Sequence, residues 1–247
     1  MNDQEIIQGN WLYRNPPLFE EVNGYLSERI ASLIWRELGR NPSDRIGRVL
    51  DVGCGTGRLL RNLLPFCDHV VGVDMNQAML KYARNRQPEI EFIEGDMRSL
   101  GDLGLFDVVV CVGSVIMYMQ SNDDITKSLH NLRRQVKPDG FLLLGLTDAG
   151  SVIGDHSRLR RNFEIKTKTI SATAVATYEF DGRRQRMIRQ RKWTLSTGET
   201  IMDKGEYRLI FPLELDFFLS TAGFTKRRLA QLDGDALQPR LFVVATP

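Results

Sequence analysis

Apolar residues recur at Leu26, Ile30, Leu33, Ile34 and Leu38, the three-and-four spacing of a helix that buries one face. The stretch 39–44, rich in glycine and proline signals, ends it. Upstream, the Pro-Pro pair in Asn15-Pro16-Pro17-Leu18-Phe19 reads as a turn. From about residue 46 the pattern changes to short continuous apolar runs near 49–52, 69–73, 90–93, 106–112 and 141–144. Amphipathic stretches at 76–84 and 123–132 lie between them, and this alternation predicts a parallel sheet covered by helices on both faces. After about 150 the period falls to two, at 163–170 and 173–180. Asp181-Gly182 then predicts a hairpin turn, 183–195 a long strand, Ser196-Thr197-Gly198 a second turn and 207–211 a return. These strands predict an antiparallel sheet inserted after the fifth core strand. A helix restarts at Pro212, and Gly223-Phe224 leads into a closing pair of strands, the last over 240–246.

The densest chemistry lies in Val49-Leu50-Asp51-Val52-Gly53-Cys54-Gly55-Thr56-Gly57. An apolar strand ends there in an acid and a turn with three alternate glycines, and a helical pattern follows. Glycine permits positive φ and lets a ligand meet the backbone without a Cβ in the way. The nicotinamide fingerprint G-x-G-x-x-G would need glycine at 58, where this chain has Arg58, so the spacing points away from a dinucleotide. Asp74 closes the second apolar run, about 20 residues past the turn, where an acid accepts both hydroxyls of a ribose. After the third run, Asp96 offers an acceptor for an adenine amino group and Met97 a thioether to cover its ring. The fourth run ends at Gly113, small where a ligand would pass. In open parallel sheets the ligand lies beyond the carboxyl ends of the strands, and all these residues fall at that edge.

With these motifs the chain resembles the class I S-adenosylmethionine (SAM) methyltransferases. The first motif of that family matches at Asp51, Gly53, Gly55 and Gly57, its ribose acid at Asp74 and its adenine acid at Asp96. Val136-Lys137-Pro138-Asp139-Gly140 looks like the family's turn into its fifth strand. The resemblance is closest in layout to small-molecule, amine-type methyltransferases of biosynthetic pathways. It implies an α/β fold: a doubly wound, Rossmann-like seven-stranded sheet with an N-terminal helical cap and an inserted antiparallel β lid. One methyltransferase domain would then fill 1–247, with the cap at 1–45, the SAM-binding core at 46–150, the lid at 151–211 and the closing helix and strands at 212–247. The resemblance also implies SAM contacts from Asp51, Gly53, Cys54, Gly55, Gly57, Asp74, Met75, Asp96, Met97 and Gly113. Aromatic residues of the cap close over SAM in that family, which brings in Tyr13 and Tyr25.

Composition narrows the partners. A net charge of +2 over 247 residues gives no global attraction for nucleic acid. No apolar run reaches the roughly 20 residues of a membrane span. The polar, acidic start MNDQEIIQGN lacks the regions of a signal peptide. Cys54, Cys67 and Cys111 are odd in number and lack metal spacing, so they read as packing thiols of a reduced, cytoplasmic protein with no metal site.

Three residues are candidates for acting on the acceptor. Tyr118 follows strand four, where related small-molecule methyltransferases keep substrate-facing groups. The nucleotide-aminosugar N-methyltransferases tend to carry histidine at about this place, and tyrosine departs from that pattern. A phenol with an ordinary pKa of about 10 is a poor base and a good orienting partner. His156 titrates in the useful range, with Asp155 or Asp148 to orient it, although a solvated loop also accounts for it. Asp148, at the end of strand five, is placed either to bind a substrate amine or to cap a turn. The basic run 183–192 would put Arg184, Arg186, Gln190 and Lys192 on one face of a strand and Arg183, Arg189 and Arg191 on the other. The expected function is methyl transfer to an amine or hydroxyl of a small biosynthetic intermediate. RNA or protein methylation through the basic strand, and a non-catalytic SAM-binding regulator, are the alternatives.

Overall fold

The computed structural model describes residues 5, 9–39, 44–154, 160–167, 170–232 and 240–247, with the backbone alone at Tyr25. Helices α1 (Pro16–Asn23) and α2 (Tyr25–Leu38) lead into β1 (Ile46–Val52). Pro16 and Pro17 start α1 and do not form a turn: proline's fixed φ suits the first helical turn, where its missing N–H has no partner to lose. The core then alternates α3 (Arg58–Leu63), β2 (Cys67–Asp74), α4 (Gln77–Arg86), β3 (Glu91–Glu94), β4 (Phe106–Cys111), α5 (Asn122–Arg134) and β5 (Val136–Thr147). β1 to β5 pair in parallel in the spatial order β3-β2-β1-β4-β5. Pleating explains the covering layers. Leu50, Val109 and Cys111 point to the side packed by Ile125, Leu129 and Leu132 of α5. Val49, Val108 and Val110 point to the other, against Ile30, Leu33 and Ile34 of α2 and Leu60 of α3.

A short helix α6 (Ala149–Gly154) follows β5 and opens the insertion. β6 (Arg160–Lys166), β7 (Ser171–Asp181), β8 (Arg186–Leu195) and β9 (Thr200–Arg208) form an antiparallel sheet in that order. α7 (Pro212–Thr221), β10 (Lys226–Ala230) and β11 (Arg240–Thr246) complete the chain. β11 runs antiparallel beside β5 and β10 lies outside it, giving seven strands in the order β10-β11-β5-β4-β1-β2-β3.

Some boundaries differ from the sequence pattern. β8 starts at Arg186, because Gln185 takes a positive φ of 51° and Arg183 and Arg184 belong to the turn. β9 extends far upstream of the expected return at 207. Its buried positions include Asp203 and Gly205, so hydrophobic alternation gives no sign of it. β3 stops at Glu94, leaving Asp96 and Met97 on the loop beyond. The Lys137–Gly140 stretch appears as a register shift between Phe106↔Val136 and Val108↔Phe141.

The insertion sits on the cap as well as on the sheet edge. Trp11, Leu12 and Leu18 of the cap share a core with Ile165, Ala172, Ala174 and Trp193 of the inserted sheet. The Trp11 and Trp193 rings meet edge to face at 4.9 Å.

Candidate active site

The loops at the carboxyl edge of β1 to β4 meet around one cavity. Gly53 and Gly55 form its floor after β1, and Asp74 and Met75 a wall after β2. Asp96 and Met97 line it after β3, and Gly113 and Tyr118 after β4. Tyr13 and Phe19 of the cap close the remaining side.

The glycine turn is locked by its neighbours. Gly53 and Cys54 donate their N–H groups to the carbonyl of Val73 at 2.7 and 3.0 Å. Gly55 donates to Asp74 Oδ2 at 2.8 Å, and Asn76 donates to Asp74 Oδ1 at 2.8 Å. Burial raises the Asp74 pKa, and these N–H bonds oppose that rise. Gly53 has φ +81°, and a Cβ there would stand 2.4 Å from the Val115 side chain. Gly57 has φ +73°, and a Cβ would meet Phe92 at 2.5 Å and Gln87 at 2.7 Å. Gly57 therefore shapes the turn from behind and does not line the cavity. Cys54 is likewise buried behind the turn, its Sγ facing Gly72.

Asp51 lies under the turn, 3% exposed, with Oδ1 lacking a hydrogen-bond partner. Burial, then the charge of Asp74, pushes its carboxyl up to about 7. Asp96 is held differently. Burial alone would raise it, but side-chain bonds from Arg98 at 2.5 to 3.0 Å and the Arg98 N–H at 2.8 Å hold it below the usual range.

At the far end, the hydroxyls of Tyr13 and Tyr118 hydrogen-bond at 2.7 Å, and Tyr118 reaches Tyr207 of β9 at 3.5 Å. Burial pushes the Tyr13 phenol up to about 12 and Tyr118 well above its ordinary value, so both are neutral near pH 7. Tyr118 is thus an orienting hydroxyl and not a resting phenolate. Asp148 sits away from the cavity, where it accepts from Gly150 N at 3.1 Å and Ser151 Oγ at 2.5 Å at the start of α6. His156 lies outside the described residues, and so does the Tyr25 side chain.

Several lining residues escaped the sequence reading. Asn76 caps α4 by accepting from Ala78 and Met79 N–H, and its amide donates to the Tyr13 carbonyl at 3.1 Å. Asn two residues past an acid, before a helical pattern, is the signal that would have flagged it. Met79 and Met119 add apolar wall. Tyr207 of β9 stands behind the lining, against Tyr118, and nothing local in the sequence points to it.

The basic run divides between surface and interior: Arg183, Arg184 and Lys192 are exposed, and Arg186, Arg189 and Arg191 are not. Arg191 is 7% exposed in its side chain and makes a two-pronged bond to Asp203, 2.7 Å on each arm. Arg189 is 13% exposed and stacks over the Tyr207 ring at 5.2 Å. Arg186 pairs with Glu206 at 2.6 Å. Among the described residues no helix is long and apolar enough to cross a membrane.

Residues 49–140 match the family model described as a methyltransferase domain. A 107-residue stretch is 33% identical to the dTDP-3-amino-3,6-dideoxy-alpha-D-glucopyranose N,N-dimethyltransferase of Streptomyces fradiae, covering 43% of this chain and 42% of that one. The solved structure of DesVI from Streptomyces venezuelae superposes with a TM-score of 0.74 at 20% identity, over 100% of this chain and 99% of that one. CalS10, an amino pentose methyltransferase from Micromonospora echinaspora, gives 0.70 at 22% identity over 90% of each chain. The doubly wound sheet with its reversed last strand is thus the class I methyltransferase fold. The family match is confined to the methyltransferase domain at 49–140. The chain spans between 41% and 57% of the length of the Streptomyces fradiae enzyme and two other curated relatives.

Proposed function

We propose that the protein transfers a methyl group from SAM to the amine of a small molecule held beneath the inserted sheet. The observation that carries this reading is the single cavity that joins the Gly53 turn, Asp74 and Asp96 at one end to Tyr13 and Tyr118 at the other. The residues fit the cofactor. Asp74 lines the cavity as an acceptor suited to ribose hydroxyls, and Met75, Met79 and Met97 offer apolar cover for a purine. The Oδ1 of Asp51, unpartnered among the described residues, lies beneath the turn as an acceptor suited to an ammonium.

SAM supplies a methyl group on a cationic sulfur, which a neutral nucleophile displaces in line. The protein's task is alignment at about 3 Å, a contribution of roughly 7–11 kcal/mol in favourable cases. The Tyr13–Tyr118–Tyr207 hydroxyl chain orients the acceptor, and the cap and lid exclude water. The amine acceptors named for the relatives support an amine here, an amino sugar of a biosynthetic pathway being one such class. Docking of RNA or protein on the basic strand is disfavoured by the burial of Arg189 and Arg191. Three buried thiols support a reduced, cytoplasmic setting.

The test is calorimetric titration of SAM into the wild type and Asp74→Ala. The variant is expected to bind more than tenfold more weakly. Unchanged affinity would remove the assignment of this cavity to SAM.

A further inference from the structure

Among the described residues, the inner face of the inserted sheet sets two buried guanidinium groups against one carboxylate. On β8 the residues Met187, Arg189, Arg191 and Trp193 share that face by the two-residue period. Cross-strand pairing sets Arg191 opposite Asp203, and Arg189 opposite Gly205 on one side and Tyr178 on the other. Asp203 is fully engaged. It takes two bonds from Arg191 and one from Trp193 Nε1 at 2.7 Å, and the backbone N–H of Trp11 adds a fourth at 3.4 Å. Arg189 only approaches the same carboxylate, at 3.8 Å. One carboxylate therefore faces two guanidinium groups. The Nε and Nη2 of Arg189 are buried with no hydrogen-bond partner among the described residues. Burial disfavours the charged form of Arg189, and the nearby Asp203 carboxylate favours it.

Such a cation is expensive without a counter-charge, because a buried guanidinium loses hydration that stacking on one ring replaces only in part. Its position says what supplies the counter-charge. Arg189 stacks on Tyr207, whose hydroxyl meets that of Tyr118, and Tyr118 lines the cavity. β9, the strand that carries Tyr207, packs against the turn after β4 that carries Tyr118.

We propose that Arg189 is a specificity residue that binds an anionic group of the acceptor, a carboxylate or a phosphate, so that the substrate is an amine that also carries negative charge. This rests on the methyltransferase reading above and narrows its substrate class. The guanidinium fork suits either anion, and lysine would reproduce the charge without the paired geometry.

The test uses the full chain as wild type, Arg189→Met and Arg189→Lys, with thermal melts to show that each variant folds. S-adenosylhomocysteine is titrated into each protein by calorimetry, and acetate and orthophosphate are then titrated into the complexes. Wild type is expected to bind at least one anion. Arg189→Met should bind it at least tenfold more weakly, Arg189→Lys should fall between, and affinity for S-adenosylhomocysteine should stay within about twofold. Acetate binding alone assigns a carboxylate, and orthophosphate binding alone a phosphate. No anion binding in wild type, or equal binding in Arg189→Met, would overturn the proposal. A loss of S-adenosylhomocysteine but not of 5′-methylthioadenosine in Arg189→Met would also overturn it, because the anion held would be the cofactor's own carboxylate. Failure of wild type to bind S-adenosylhomocysteine would instead strike the methyltransferase reading itself.

Discussion

The hydroxyl of Tyr13, from the N-terminal cap, hydrogen-bonds that of Tyr118, from the turn after β4, at 2.7 Å. This one contact ties the cap to the sheet edge and, through Tyr207, to the inserted sheet. Neither phenol is ionised near neutrality, so the contact works by position and not by charge.

Tyr118→Phe keeps the ring and removes the hydroxyl. A neutral hydrogen bond contributes about 0.5–1.5 kcal/mol, so kcat/KM for the acceptor should fall about two- to tenfold. Cofactor affinity should barely move, since the cavity wall there is the ring. Steady-state kinetics beside a SAM titration would show this split. A variant that loses SAM binding to the same degree as turnover would place the hydroxyl on the cofactor.

Gly53→Ala places a Cβ 2.4 Å from Val115 at φ +81°. Backbone strain of this kind costs about 1–3 kcal/mol. A lower unfolding midpoint and weaker SAM binding are expected together, because the same turn serves both. Denaturant unfolding with and without SAM measures each. An alanine variant with wild-type values would show that the turn tolerates a side chain.

Asp51 gives the cofactor-free protein a pH dependence of defined sign. Its folded pKa is pushed up to about 7, from 3.8, by burial and by Asp74. Between those values the folded state holds more protons than the unfolded state, so stability falls as pH rises through the window. Thermal midpoints should therefore rise on going from about pH 8 to about pH 5, against a flatter profile for Asp51→Asn. Identical slopes in the two proteins would assign the effect to other groups.

Asp203 holds the inserted sheet together by serving Arg191, Trp193 and the backbone of Trp11 at once. Asp203→Ala would leave two buried guanidinium groups without a carboxylate. Breaking one partner of a buried pair costs about 3–5 kcal/mol. The unfolding midpoint of the insertion and cap should drop accordingly, and Asp203→Asn should recover only part of it. A change under about 1 kcal/mol would mean that water replaces the carboxylate.

The core was legible because β1, β2, β4 and β5 carry continuous buried apolar runs. The three glycines with positive φ and the acids at Asp74 and Asp96 marked its ligand edge by type and spacing alone. The inserted sheet was half legible. Period-two alternation marked β7, but the buried positions of β9 include Asp203 and Gly205, which carry no hydrophobic signal. For the same reason the two-face reading of the basic run gave no sign that Arg189 and Arg191 are buried. Their burial depends on a carboxylate 12 residues beyond Arg191, brought opposite only by the β8–β9 pairing. Pro16 and Pro17 misled differently, since Pro-Pro serves a helix start as well as a turn.

The central claim is that SAM methylates a small amine here. The most direct measurement incubates the purified protein with methyl-labelled SAM and a source-cell extract, then separates label into small molecules, protein and nucleic acid. Protein-dependent label in the small-molecule pool, in a methylated amine, is the predicted result. Label confined to RNA or protein, or no label despite SAM binding, would contradict it.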